Sequence, residues 1–263
     1  MASVRRTLIP WLAFAGILVA WGIFSSLPLD WSAWQPATCI PACYCEAIQP
    51  GAVAQPVNAW SSLAFALAGL LVLARNPGAS TFSRKAGYRI TFGVALVVIG
   101  LGCAFYHASL TFAGQFFDVM GIYLVISFAA LFALARPGWL PEGAFPPVYL
   151  ATNLMLAGAL LWLPGVRREV FATLVVITLA LEAWSLRRSP RPASYFMGAM
   201  VTLAVGFMLW ILDTDGLLCN PNSIFQGEAA WHILGALAAW LLYCYYAADG
   251  SSQERKSVSN GQP

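Results

Sequence analysis

The two histidines of this 263-residue chain lie in long apolar segments beside acidic or thiol side chains. Cys103 precedes His107 by four residues, and Glu228 precedes His232 by four, so each pair shares one face if its segment is helical. Asp118 follows at the start of the next apolar segment. Ionisable groups are costly at membrane depth unless they pair, face water or bind a cation. Two imidazoles with a carboxylate suit zinc, and the set predicts a metal site.

The composition indicates that these residues lie in a lipid bilayer. Hydrophobic residues make up 60% of the chain and charged residues 10%, whereas an average globular domain has about 25% charged residues. Eight stretches approach the roughly 20 residues that a membrane helix needs. They cover residues 8–28, 56–75, 88–108, 115–135, 145–163, 169–186, 193–213 and 228–247. The predicted fold is therefore an all-α, polytopic transmembrane helical bundle.

Basic residues predict the orientation, because Lys and Arg in loops are retained on the cytoplasmic side of a membrane. If the N-terminus is inside, 12 of the 14 Lys and Arg residues fall in cytoplasmic segments, and Arg167 and Arg168 face outward. We therefore expect both termini in the cytoplasm and the site near the outer face of a bacterial inner (plasma) membrane. The alternative for the first segment is a cleaved signal peptide. Because the basic residues flank helices, the net charge of +3 does not indicate nucleic acid, and no obligate protein partner is evident.

Four cysteines fall in predicted outer loops, where disulfides persist. They are Cys39, Cys43, Cys45 and Cys219. A metal clip is the alternative, but C-x3-C-x-C lacks the usual spacing of zinc knuckles. We predict two disulfides, and the residue positions leave three pairings open.

Each polar residue of the predicted site also has a structural interpretation. A histidine in a membrane helix commonly bonds a neighbouring helix, and Glu228 at a helix start is favoured by the helix dipole. A joint site is favoured because polar groups on three helices are predicted at one depth. A proton-coupled carrier using Asp118, Glu182 and Asp213 is disfavoured, because these three residues are not predicted to share a depth.

Three ordered segments resemble the alkaline ceramidase family. GLGCAFYHASLTFAGQFFD (100–118) is similar to the family pattern G-x-G-S-x-x-F-H-x-T-L followed by Gln and Asp. AWHILGAL (230–237) resembles H-x-x-W-H-I-L-T, and YCEAIQPGAVAQPVNAWSSL (44–63) resembles the W-C-E start. The resemblance implies a seven-helix zinc hydrolase core, related to adiponectin receptors, plus one extra N-terminal helix. The expected organisation is an anchor helix and outer loop at 1–42, the core at 43–249, and a disordered cytoplasmic tail at 250–263.

The resemblance also implies roles for the site residues. His107 and His232 would be zinc ligands, and Asp118 would orient or deprotonate the attacking water. Glu228 stands where the family has its third histidine and is expected to be the third ligand. Cys103 stands where the family has a serine that assists at the carbonyl, although a thiol could itself bind the metal.

Two further expectations come from the resemblance and concern the first outer loop. Cys45 and Cys219 match a cysteine pair that the family joins by a disulfide. Glu46 matches one residue of a calcium site, but Cys43, Tyr44 and Gln55 replace residues expected there as calcium ligands or their neighbours. Regulation by calcium is therefore not expected.

The resulting hypothesis is an integral-membrane, zinc-dependent amidohydrolase that cleaves the amide of a ceramide-like sphingolipid with metal-activated water. The sequence does not separate an amidase from an esterase. The alternative is a receptor-like, non-enzymatic membrane protein with a structural zinc. Asp118 and an open metal position distinguish the two, because a structural zinc has four closed protein ligands and needs no base.

Overall fold

The structure, a computed structural model, describes residues 2–38, 44–75, 82, 86–188 and 193–248. Within these ranges eight helices are long and apolar enough to cross a membrane. Their bounds are α1 Ala2–Ser25, α2 Pro56–Ala74, α3 Ala86–Ser109, α4 Phe112–Ala135, α5 Phe145–Trp162, α6 Arg167–Arg188, α7 Ser194–Thr214 and α8 Gly227–Ala248. The predicted all-α transmembrane bundle is confirmed.

The helices that carry the predicted site form the centre of the bundle. Helix α2 packs against α3 and α8, α3 packs against α4, and α8 packs against α7. Helices α5 and α6 pack on α4 from outside. Helix α1 packs on α2, and nearly all of its apolar stretch is exposed, as expected of a helix surrounded by lipid.

Glycines let the central helices approach closely. A Cβ atom added at Gly100 of α3 would lie 2.5 Å from the backbone nitrogen of Ala66 in α2. A Cβ atom added at Gly121 of α4 would lie 2.5 Å from the Cα atom of Ile99 in α3. Small residues at such crossings allow backbones to touch, and here they bring together three of the helices that surround the site.

A tight turn joins α3 to α4. Leu110 has a φ of 50°, in the left-handed region that non-glycine residues rarely adopt. The turn is held by Ala37, whose backbone N–H donates to the Leu110 carbonyl at 3.0 Å. The Thr111 hydroxyl then caps α4 by accepting from the Gly114 N–H at 3.1 Å. As a result α4 starts directly beside the end of α3.

The end of the bundle opposite the site contains a buried ion pair. Arg136 at the end of α4 pairs with Glu182 of α6. The hydroxyls of Tyr245 and Tyr246 on α8 donate to the Glu182 carboxylate at 3.4 Å and 3.2 Å. Glu182 therefore links α4, α6 and α8, and this contact gives it a structural role.

The structure contains the Cys45–Cys219 disulfide, with Cα atoms 5.4 Å apart. This confirms the pairing that the family resemblance implied. Cys39 and Cys43 lie outside the described residues, so the second disulfide stays a prediction. The expected tail, residues 250–263, also lies outside them.

Candidate metal centre

Three helix ends meet at the end of the bundle that carries the Cys45–Cys219 disulfide, and they hold the predicted site residues. Cys103 and His107 lie near the end of α3, and Glu228 and His232 lie on the first turns of α8. Their exposed fractions are 3%, 0%, 5% and 1%, so all four are buried. The structure thus brings together residues that are more than 120 positions apart in the chain.

The side-chain atoms of these residues converge on one point. Cys103 Sγ lies 3.2 Å from His232 Nε2, and Glu228 Oε1 lies 3.3 Å from the same nitrogen. His107 Nε2 lies 3.7 Å from Glu228 Oε1. Ligand atoms of Cys103, His107 and His232 all lie within 4.8 Å of one another, as a shared metal ion requires.

The hydrogen-bond network assigns the tautomer of His107. Gln55 Nε2 donates to the backbone carbonyl of Glu46 at 3.0 Å, so its Oε1 faces the imidazole. That oxygen lies 2.9 Å from His107 Nδ1, which must therefore be the donor. The Nε2 atom of His107 consequently keeps its lone pair and points into the site.

A serine of α2 assigns the tautomer of His232 in the same way. Ser61 Oγ donates to the Asn58 carbonyl at 2.9 Å, so it accepts from His232 Nδ1, which is also 2.9 Å away. Ser62 Oγ lies 3.4 Å from the same nitrogen. The Nε2 atom of His232 is therefore also unprotonated.

Three electron-rich atoms thus face one another without a hydrogen between them: two imidazole nitrogens and the Glu228 carboxylate. Among the described residues, His107 Nε2 and Glu228 Oε2 are buried and have no hydrogen-bond partner. Zinc bonds of about 2.0–2.3 Å in a tetrahedron place donor atoms about 3.3–3.8 Å apart. Glu228 Oε1 lies 3.3 Å from His232 Nε2 and 3.7 Å from His107 Nε2, and both spacings agree with these values. The residues present therefore fit a metal ion of this kind.

Asp118 lies on the second turn of α4, partly exposed, at the edge of this group. Its carboxylate is in hydrogen-bonding contact with the Cys103 thiol and interacts electrostatically with His232 and Glu228. A carboxylate beside the donors, but not among them, is placed to exchange a proton with a reactant.

Glu46 anchors the start of α2. Its carboxylate oxygens accept from the backbone N–H groups of Val57 at 2.7 Å and Asn58 at 2.9 Å. Burial raises the pKa of Glu46 above its usual value, and the two backbone donors oppose that shift. Because Gln55 binds the Glu46 carbonyl, this cap also fixes the side chain that holds His107.

Asp213 lies at the same end of the bundle as Asp118, although the sequence did not predict a common depth for them. Its carboxylate accepts from the backbone N–H groups of Gly227 at 2.8 Å and Cys45 at 3.4 Å. It therefore caps α8 and holds the disulfide loop. These contacts favour a structural role over proton transport.

The family model named Ceramidase matches residues 44–261. The chain belongs to the ceramidase family. It is 25% identical over 256 residues to the alkaline ceramidase of Drosophila melanogaster, covering 90% of this chain and 87% of that protein. It is 24% identical over 165 residues to the Dictyostelium discoideum protein dcd3A, which is named provisionally as an alkaline ceramidase. That match covers 60% of this chain and 53% of the relative. The family predicted from three motifs is confirmed, and it supports a membrane lipid hydrolase.

The sequence alone did not reveal the α2 residues that hold the two imidazoles. The sequence marks Gln55 only as a departure from a calcium site, and it gives Ser61 and Ser62 no predicted role. One signal was available: residues three and four positions after Asn58 lie on the same helix face as Asn58. The partner of that face became visible only in the folded bundle.

Proposed function

We propose that this protein is a zinc-dependent amidohydrolase that cleaves a ceramide-like lipid inside the membrane. The observation that carries the proposal is the convergence of two unprotonated imidazole nitrogens and a carboxylate oxygen beside a second carboxylate, that of Asp118. Membership of the ceramidase family supports the lipid amide as substrate. A site enclosed by membrane helices suits a substrate that stays in the bilayer.

In this proposal His107, His232 and Glu228 hold the zinc. When bound, zinc supplies Lewis acidity that polarises the acyl carbonyl and lowers the pKa of the attacking water. The neutral imidazoles present their Nε2 lone pairs because Gln55 and Ser61 hold the opposite nitrogens. Glu228 adds a negative charge, which increases attraction for a divalent cation.

Asp118 serves as general base and then as general acid. It takes a proton from the water that attacks the carbonyl carbon, and it gives that proton to the amine when the C–N bond breaks. The products are a fatty acid and a long-chain amine. Cys103 lies between Asp118 and His232, where the family resemblance implies assistance at the carbonyl.

The first test measures metal content and hydrolysis together. Purified protein should contain about one zinc per chain and release free fatty acid from ceramides. Ceramides and matched ester analogues of equal acyl length separate an amidase from an esterase. Metal-free protein that still cleaves ceramide would refute the zinc requirement.

The second test separates the enzyme from a receptor-like protein with a structural zinc. His107→Ala and His232→Ala should each lose most bound zinc. Asp118→Asn should keep zinc and fold but lose about 10²-fold or more in rate, the usual scale for a lost general base. The matched control is Asp30→Asn, because Asp30 is exposed. Full activity in Asp118→Asn would favour the receptor-like alternative.

We also propose the orientation and the domain organisation expected from the sequence. Both termini are cytoplasmic, and the site lies near the outer face, on the side of the disulfide. Reporter fusions after Arg89, Arg136 and Arg188 should report the cytoplasm, and a fusion near Gln226 should report the outside. One reversed reporter would contradict this topology. The anchor is placed at 1–42, the core at 43–249 and the tail at 250–263.

A further inference from the structure

The sulfur of Cys103 lies among the metal donors rather than outside them. It is 3.2 Å from His232 Nε2, which is as close as Glu228 Oε1 at 3.3 Å. It belongs to the buried group whose ligand atoms all lie within 4.8 Å of one another.

The position of Cys103 is fixed by its helix. Cys103 and His107 are one turn apart on the same face of α3, and that helix is held against α2 at Gly100. The sulfur has one further neutral neighbour, Ser62 Oγ, at 3.1 Å. The Ser62 hydroxyl also donates to the Asn58 carbonyl at 2.7 Å, so its hydrogen is shared between two acceptors.

We propose, resting on the metal-dependent function above, that Cys103 is itself a metal ligand and completes a four-donor set with His107, His232 and Glu228. The spacings between neighbouring donors fit one tetrahedral ion. On binding, the thiol releases its proton to solvent and the thiolate bonds to the metal. Thiolate donors favour zinc over magnesium or calcium, so the site selects a thiophilic cation.

Four protein donors leave no open position in a tetrahedral site. With a metal bound, water and substrate would gain access to it if the Cys103 sulfur moved away. The Ser62 hydroxyl, 3.1 Å from the Cys103 sulfur, can donate a hydrogen bond to the displaced thiolate. Cys103 thereby gives the resting site a ligand that substrate can displace.

The first experiment replaces zinc by cobalt(II) in the full-length protein and records the near-ultraviolet absorption. A thiolate-to-cobalt charge-transfer band is expected in the wild type and in Cys244→Ser, and it should be lost in Cys103→Ser. Cys244 is the matched control because it is the other free cysteine among the described residues and lies near the opposite end of α8. If cobalt-loaded wild type shows no such band, the inference is overturned whatever the variants show.

The second experiment measures cadmium affinity by competition with a chelator. Loss of an outer partner weakens metal binding about 10 to 100-fold, so loss of a direct ligand in Cys103→Ser should exceed about 100-fold, with Cys244→Ser unchanged. Equal affinity in Cys103→Ser and wild type would overturn the ligand assignment. In that case zinc-dependent ceramide hydrolysis by the wild type would still stand, so the two proposals can fail separately. A wild type that binds no metal would overturn both.

Discussion

Gln55 Oε1 accepts a hydrogen bond from His107 Nδ1 over 2.9 Å, and this contact links the start of α2 to the end of α3. The Gln55 amide cannot turn over without losing its bond to the Glu46 carbonyl. An outer partner of this kind fixes both the tautomer and the direction of an imidazole ligand. The loop between α1 and α2 therefore determines which nitrogen of His107 faces the candidate metal centre.

Replacing Gln55 should weaken metal binding while the protein stays folded. Gln55→Leu removes the acceptor for His107 Nδ1, and zinc affinity should fall about 10 to 100-fold. Gln55→Glu keeps an acceptor oxygen, so its zinc affinity should fall less than that of Gln55→Leu. Affinity is measured by competition with a chelator, and Gln49→Leu, at an exposed glutamine in the same loop, is the control. Unchanged affinity in Gln55→Leu would contradict the assigned tautomer.

Ser61 and Ser62 of α2 should each be able to hold His232 when the other hydroxyl is removed. Ser61→Ala removes the hydroxyl that lies 2.9 Å from His232 Nδ1. Ser62 Oγ, 3.4 Å from the same nitrogen, can then accept its hydrogen bond. Ser61→Ala should thus reduce zinc affinity less than the Ser61→Ala, Ser62→Ala double variant. Calorimetric titration of the two single variants and the double variant measures this coupling. Strictly additive losses would show that the two hydroxyls act independently.

Glu46 should make stability depend on pH. Burial raises the pKa of Glu46 in the folded protein above its ordinary value of 4.5, so its favourable contribution is present at low pH and is lost as pH rises through the folded pKa. The stability of wild type relative to Glu46→Gln should therefore decline as the pH rises from about 4 through the raised pKa of Glu46. Thermal unfolding of both proteins at a series of pH values measures this difference. A stability difference between wild type and Glu46→Gln that does not change with pH would contradict the raised pKa of Glu46.

Breaking the Cys45–Cys219 disulfide should destabilise the protein by about 2 to 5 kcal/mol. Cys45→Ser, Cys219→Ser and the double variant should lose the same amount, because each removes the same single cross-link. Chemical unfolding gives the free energies, and Cys244→Ser serves as control. Non-reduced peptide mass spectrometry should recover the cross-linked peptides from wild type, and free thiols at both positions would contradict the link.

Removing one partner of the buried Arg136–Glu182 pair should destabilise the bundle by about 3 to 5 kcal/mol, because it leaves an uncompensated charge. The Arg136→Met, Glu182→Leu double variant should cost less than Glu182→Leu alone. Thermal unfolding completes the double-mutant cycle. Zinc affinity should stay unchanged in all variants, since the pair lies at the far end of the bundle. A double variant as unstable as the sum of the singles would show that the pair is not coupled.

Much of the fold was predictable from the sequence because a bilayer leaves few solutions. Backbone polar groups in lipid must be satisfied within the segment, so each apolar stretch of about 20 residues has to be a helix. The eight predicted segments accordingly match the eight long helices found within the described part of the chain. The pairs Cys103 with His107 and Glu228 with His232 followed from helical spacing alone, because one turn places residues four apart on the same face.

The tertiary structure decided which faces meet. Helical spacing does not say that the face of α2 carrying Ser61 and Ser62 turns toward His232, or that Gln55 reaches His107. Those contacts depend on glycine crossings such as Gly100 against Ala66, which set the rotation and approach of neighbouring helices. For the same reason the sequence predicted Cys103 near the site residues, but only the packing of α3 and α8 on α2 brought its sulfur beside His232. The helical period depends on the residues of one segment alone. Which side chains of that helix face a neighbouring helix depends on how the two helices pack.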